Sequence, residues 1–371
     1  MDFAPSPEQR ELAAVVRKFL AELSPESEVR RLIEDPRGWN PELWTRMATE
    51  IGLQGLAIPE RFGGSGFGIA ELGVVFEEAG RALLPAPLLS TVALASSAIL
   101  ASDDESACRD YLPGIAAGTV VATVALTEES GSWTIDSVAT RASAGPSGWE
   151  LTGTKCYVLD GGSADLLLVV ARSENGIGLF AVDRDAEDLR VDVVPTFDLT
   201  RPMAQLEFRG TPARLIGADG AGAAAVERAL AVSSVLLAAE QLGGATAALD
   251  MSVDYAKTRM QFGRPIGSFQ AIKHKAADML LRVEAARSAV LYALWSGETD
   301  AADFAATASL AKSYCSEAYS FCAAENVQIH GGIGFTWEHP AHLYLRRAKA
   351  TELLFGSPAY HRERLADLAG I

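Results

Sequence analysis

Tyr255-Ala-Lys-Thr-Arg-Met-Gln-Phe-Gly-Arg-Pro-Ile-Gly-Ser-Phe-Gln270 is the run on which the reading of this chain turns, together with Gln328-Ile-His-Gly-Gly-Ile-Gly-Phe335 further along. Each run follows a long segment of helical period. Taken alone, Arg259 and Gln270 fit solvated helix residues. Gly331-Gly332 alone fits a helix C-cap, where glycine tolerates a left-handed backbone. The two runs together, and what surrounds them, carry more.

Outward from these runs, residues 221 to the end hold four long amphipathic segments: roughly 221–258, 268–296, 301–329 and 338–355, with a tail helix after Pro358. Four long helices with short links predict an antiparallel four-helix bundle. Upstream, from Gly118 to about Arg214, the period is that of strands. Candidates are Val120–Leu126, Trp149–Leu159, Leu166–Ala171, Ile177–Val182, Leu189–Val194 and Met203–Phe208. Gly161-Gly162, Asn175-Gly176 and Asp183–Asp185 supply turns between them. Strands in succession without an intervening helix predict an antiparallel barrel or sandwich. The first 118 residues read as helical. Ser6-Pro7-Glu8-Gln9 is a helix start, and Leu12, Val15, Val16, Phe19 and Leu20 follow at helical spacing. The cluster Gly63–Gly68 follows no strand and carries no Lys-Ser/Thr, so it reads as a bend and not a phosphate loop. The expected class is α+β, mostly α: an N-terminal helical domain (1–118), a middle antiparallel β-barrel or sandwich domain (119–215) and a C-terminal helical bundle (216–371).

Composition narrows the functions open to such a chain. With 371 residues, 49% apolar and 22% charged, it can bury a sizeable core. A net charge of −16 argues against nucleic acid and anionic membranes as partners. The N-terminus lacks the basic and apolar regions of a signal peptide. The apolar stretch Ala221–Leu249 is interrupted by Glu227, Arg228, Glu240 and Gln241, so no membrane span is expected. The four cysteines (108, 156, 315, 322) form no Cys-x-x-Cys pair and read as free thiols in a reducing compartment, which points to the cytoplasm. His339 and His342 lie three apart on an expected helix with no third ligand nearby, so no metal site is expected.

The two runs, in this order of domains, resemble the acyl-CoA dehydrogenase family of flavoproteins. The resemblance covers roughly residues 5 to 365. It implies FAD as cofactor, an acyl-CoA thioester as substrate, a tetramer, and an electron-transfer flavoprotein as electron acceptor, within fatty acid or lipid degradation. In the family a carboxylate takes the α-proton of the thioester while a hydride leaves the β-carbon for the flavin. Donors that polarise the thioester carbonyl stabilise the charge that develops there. By resemblance, Arg259 pairs with the flavin pyrophosphate of a neighbouring subunit, Phe262 packs on its adenosine portion, and Gln270 is a polar contact. Gln328, Gly331 and Gly332 lie along the adenine end. The contacts made within one chain depart from the pattern. Where the family has a segment like Thr-Glu-Pro-x-x-Gly-Ser-Asp, this chain has Leu126-Thr-Glu-Glu-Ser-Gly-Ser-Trp133. Where it has Trp-Ile-Thr, this chain has Tyr157-Val158-Leu159. Tyr157 still offers an aromatic face, while Leu159 lacks the hydroxyl that serves the flavin ring. A plain barrel strand and turn is the alternative for this stretch.

The base departs further. Aligning Arg346 and Lys349 with the family's Arg-Asp-Ala-Lys segment puts Phe355 at the usual catalytic glutamate. Members that carry the glutamate on an earlier helix would have it at Ser233, followed by an arginine where Ser234 stands. Neither usual position holds a carboxylate. Glu352 sits one turn before Phe355, displaced by about 4.5–5 Å along a helix, and is a candidate replacement. Glu240, two turns beyond Ser233, is a weaker one. Three functions remain open. The chain is a base-lacking subunit of a heteromeric acyl-CoA dehydrogenase, completing a partner's flavin site. It is a self-sufficient homotetramer with a displaced base. Or it is a flavin-free binding or scaffold protein on the same fold.

Overall fold

The structure is a computed structural model that describes residues 5–145 and 148–371. Among the described residues, six α-helices precede the first strand: α1 (Pro7–Leu23), α2 (Glu26–Ile33), α3 (Pro41–Thr49), α4 (Ile69–Arg81), α5 (Ser96–Leu100) and α6 (Glu105–Ala116). Seven strands follow: β1 (Ala122–Ala125), β2 (Arg141–Gly145), β3 (Gly148–Leu159), β4 (Leu166–Ser173), β5 (Gly176–Asp183), β6 (Leu189–Val194) and β7 (Met203–Ile216). The chain then forms α7 (Gly222–Thr258), a short hairpin of β8 (Met260–Gln261) and β9 (Arg264–Pro265), α8 (Gln270–Glu298), α9 (Phe304–His330), α10 (Ala341–Leu353) and α11 (Pro358–Ala369). Two compact units result. One holds the chain up to Arg31, residues 69–84 and everything from Ser234; the other holds 32–68 and 85–233.

In the second unit the sheet closes on itself. β4 pairs with β5, β5 with β7, β7 with β3, β3 with β2, and β2 returns to β4 at Arg141 and Arg172. β6 adds to β7, and β1 adds to β4. Closure removes most free edges, as in a barrel. The expectation of antiparallel pairing holds except where β1 and β2 meet β4, which they join in parallel. β2 was absent from the expected strands. Its sequence, Arg-Ala-Ser-Ala-Gly, buries only Ala142, so it shows no alternation to read. β7 runs on to Ile216, past the expected end at Phe208. Leu166 to Val170 of β4 are buried on both faces, which accounts for their unbroken apolar run.

In the first unit α1 begins as its sequence predicts. Ser6 Oγ accepts from Gln9 N, and Gln9 Oε1 accepts from Ser6 N, a reciprocal capping box. Val16 and Leu20 are its buried residues, whereas Val15 faces solvent. From Ser234 on, α7 meets α9 through Gln241–Ser316 and Ser252–Asn326 and α10 through Glu240–Arg347, while α9 packs on α8, α10 and α11. Leu236, Leu242, Val283, Val290, Cys315 and Cys322 are buried there. α4 and α7 cross in backbone contact. A Cβ on Gly80 would lie 1.9 Å from Glu240 O, and one on Gly243 would lie 1.8 Å from Glu77 O. Only glycine fits at either point. α7 is long and apolar enough to cross a membrane, but 72% of its apolar window is buried in the protein. The fourth bundle helix starts at Ala341 and not near 338. A 3₁₀ turn over Gly331–Phe335 and then Pro340 come first, so His339 stands off the helix.

Candidate functional site

The first run ends α7 and builds the hairpin. Arg259 N bonds Tyr255 O, and Ile266 N returns to Arg259 O. Met260 faces Pro265 and Gln261 faces Arg264 across the two strands. Phe262 and Gly263 form the tip with φ of 53° and 76°. Two positive φ angles in succession are the pattern of a type I′ turn, which glycine accepts readily and phenylalanine does not. Phe262 is 91% exposed. Arg264 covers the Phe269 ring, 4.1 Å from its centroid, and Phe262 meets that ring edge-on at 6.0 Å. Arg259 and Gln270 are exposed. The Arg259 guanidinium has no partner among the described residues.

The second run leaves α9 at the same end of the bundle. Tyr255 of α7 stacks on His330, the last residue of α9, at 4.2 Å. His330 packs on His339 at 4.1 Å. Gly331 ends the helix with φ 64° and donates its N–H to Gln328 O and Val327 O, so it does serve as a C-cap. It also does more than a cap requires. A Cβ on Gly331 or Gly332 would meet nothing within 4 Å, so both backbones are open to an approaching group. Gln328 is exposed beside them. Phe335 (72% exposed) and Trp337 extend the open surface.

The stretch from Leu126 to Leu159 lies in the other unit. Tyr157 sits where the β3–β7 register shifts between Lys155 and Val158, with φ 57°. That bulge turns its ring outward to 49% exposure. Gly131 lies against it, 3.8 Å from Tyr157 Cε2 to a Cβ placed there. The loop before it is pinned from below. Lys155 is fully buried and donates to Leu126 O (2.9 Å) and Glu128 Oε1 (2.7 Å). Glu128 also accepts from Ala139 N, Thr140 N and Thr140 Oγ1. Burial pushes Lys155 down to about 8 despite its carboxylate partner. Leu159 is buried, its carbonyl receiving Thr123 Oγ1.

At the positions aligned with the family's base the structure places buried side chains, and Glu352 and Glu240 each have polar partners. Phe355 is 2% exposed and holds φ 60°. Ser233 and Ser234 are buried, and Ser233 Oγ has no hydrogen-bond partner among the described residues. Glu352 Oε2 accepts from Ser320 Oγ (2.7 Å) and Lys349 Nζ (2.9 Å). Burial acts to raise its pKa, but these two bonds outweigh it and hold the carboxylate below its ordinary value. Glu240 is buried and pairs with buried Arg347 at 2.7 Å. One residue escaped the sequence reading. Lys312 is wholly buried on α9 and donates to Ser316 Oγ (2.9 Å), Glu352 O (3.3 Å) and Gly356 O (3.2 Å). It thus clamps the turn that carries Phe355. Its signal was there: a lysine with Ala308, Cys315 and Tyr319 at helical spacing on its own face.

Three sequence profiles match along the chain: the acyl-CoA dehydrogenase N-terminal domain over residues 6–119, the middle domain over 123–210 and the C-terminal domain over 220–369. The chain belongs to the acyl-CoA dehydrogenase family. Family homologues are FAD-dependent oxidoreductases. Acyl-CoA dehydrogenase IpdE2 of Mycolicibacterium smegmatis is 36% identical over 363 residues, covering 96% of this chain and 98% of its own. A solved steroid ACAD variant described as Tcur3481-Tcur3483 is 34% identical with a TM-score of 0.89, covering 98% of both chains. The ChsE4-ChsE5 complex from Mycobacterium tuberculosis is 29% identical with a TM-score of 0.91, covering 100% of this chain and 99% of that one.

Proposed function

We propose that this acyl-CoA dehydrogenase chain is the base-lacking subunit of a heteromeric enzyme and completes a partner's flavin site. One contrast carries the reading. Each position that could supply a base is apolar, hydroxylic or tied into a structural contact, while the segments suited to a neighbour's flavin stand open. Phe355 cannot accept a proton. Glu352 is held by Ser320 and Lys349, and Glu240 by Arg347. Arg259, Phe262, Gln270, Gln328, Gly331 and Gly332 are all exposed at one end of the bundle.

FAD suits these residues. An unpartnered guanidinium can meet a pyrophosphate with charge-assisted bonds. Two glycines with open Cβ directions permit close backbone approach. FAD, when bound, takes the hydride from the β-carbon of the thioester. This chain's part is to orient it: Arg259 on the pyrophosphate, Phe262 on the adenosine, Gln328 and the glycines along the adenine. Tyr157 offers a ring to the chain's own flavin position, but buried Leu159 supplies no hydroxyl there, so retention by the lone chain is weak. The matched profiles support a division into three domains at 1–118, 119–215 and 216–371. The likeness to a steroid ACAD and to a two-component complex supports a bulky acyl-CoA as substrate and a related dehydrogenase chain as partner. An electron-transfer flavoprotein as acceptor and a cytoplasmic setting complete the proposal.

The test is purification of the chain alone and with its partner. The lone chain should be nearly colourless after gel filtration, and the complex should carry flavin. Glu352→Gln in the complex should leave turnover within a few-fold, since removing a true general base costs about 10²–10⁴-fold. Loss of turnover with flavin and assembly intact would move the base to Glu352. A colourless, inactive complex would favour a binding or scaffold role.

A further inference from the structure

The two open segments share a root. Tyr255 stands one turn before Arg259, and its ring lies on His330, which lies on His339. The loop between the histidines holds Gly331 and Gly332. Each imidazole is fixed in a defined neutral form. His330 Nδ1 contacts Asn326 O at 2.8 Å; a carbonyl only accepts, so Nδ1 carries the proton. His339 Nδ1 accepts from Ala341 N at 3.2 Å, so its proton sits on Nε2. That bond serves the first N–H of α10, where the capping position is Pro340 and offers no side-chain acceptor.

We infer that His330 and His339 are positioning residues: as a packed neutral pair they hold the Gly331–Glu338 loop in the shape it presents to the partner's flavin, and protonating His339 releases it. This deepens the proposed function and rests on it.

The chemistry follows from the contacts. A proton on His339 Nδ1 replaces its acceptor lone pair with a donor aimed at the Ala341 N–H. A charge on His339 also lies against the His330 ring at 4.1 Å. Burial lowers both pKa values. At His339, His330 and Arg30 add to this and Glu26 opposes it, whereas at His330 the Asn326 carbonyl favours the cation. His342, next to His339, is itself disfavoured as a cation by burial and by Arg346 and Arg30. Around His330 the facing groups are Tyr255, His339 and the Asn326 carbonyl. The pair is therefore neutral at ordinary pH and charges only under acid. Arg30 also donates to Trp337 O, an anchor on the far side of the loop.

Two variants separate positioning from mere packing. His339→Asn keeps an acceptor for Ala341 N–H without titrating. His330→Phe keeps a stacking ring and leaves His339 to titrate. Hydrogen exchange of the full-length lone chain is followed from about pH 8 to about pH 4, corrected for intrinsic rates, past the range in which an unperturbed histidine changes state. Protection over 331–341 should fall about tenfold or more in the parent and in His330→Phe, the span of one pKa unit, and hold nearly constant in His339→Asn. Flat protection in the parent, or the same fall in the parent and His339→Asn, overturns the inference. The assembled complex is then tested for FAD release over the same range. The parent should release FAD as the loop opens, and His339→Asn should retain it. FAD retained in the parent while its loop opens would overturn the link to the flavin, and with it this chain's assigned share of the site, while leaving the loop result intact.

Discussion

Phe355 holds a left-handed backbone, which costs a non-glycine residue about 1–2 kcal/mol. The turn persists because its neighbours over-determine it. Lys312 binds the carbonyls on either side, His361 Nε2 donates to Phe355 O, and a Cβ on Gly356 would strike Tyr360 at 2.2 Å. Lys312 bears a cost for this duty. Burial lowers its pKa from 10.5 to about 7. Between those values the unfolded chain binds a proton that the folded chain does not. Stability should therefore rise with pH across that window, by at most about 1.4 kcal/mol per pH unit from this group. Urea denaturation from pH 7 to pH 9.5 should show the rise, and Lys312→Met should flatten it. Glu240 and Arg347 set a second expectation. Arg347→Met strands a buried carboxylate and should cost about 3–5 kcal/mol in the same assay. That Phe355 and Ser233 stand at the aligned base positions was legible in the sequence, since it is a matter of residue identity. So was Lys349 as a partner for Glu352, three residues away on one helix. Ser320 and Arg347 were not, because they meet Glu352 and Glu240 through folding.

The β8–β9 hairpin is the element where sequence and structure inform each other most. The run supplied the Phe-Gly tip, and the coordinates supply its exposure. Phe262 carries a positive φ with its ring mostly in solvent, so its edge contact with Phe269 offsets little of the strain. Phe262→Asn, a residue that tolerates the left-handed region, should leave the melting temperature of the lone chain unchanged or slightly raised. It should weaken association with the partner, as read by mass photometry. A clear drop in the lone chain's melting temperature would mean the ring packs where it now appears bare. Elsewhere the long elements were readable because burial imposes a period on them: α7 to α9 begin and end within a few residues of expectation. β2 was not, since small residues carry no period. The late start of α10 was not, since Pro340 and a side-chain bond from a neighbouring histidine set it.

At the scale of the whole molecule, acid is the condition to probe. His361 is buried against α9 and the Phe355 turn. Its Nδ1 has no hydrogen-bond partner, and burial, then Lys312 and Arg364, depress its pKa from 6.5 to about 3. The unfolded chain takes up a proton near pH 6.5 that the folded chain refuses until about pH 3. Stability is thus lost as pH falls through that range. His361→Gln should shallow the acid limb of a thermal-melt profile, and an unchanged limb would assign acid lability to other groups. The arrangement around this turn has a wider consequence. Lys312 and His361 grip the backbone of this turn through the carbonyls of Glu352, Gly356 and Phe355, and the Phe355 side chain is buried in its own right. The turn is thus a mount whose backbone is fixed by groups other than residue 355, and a replacement at that position keeps the mount only where it suits a buried place.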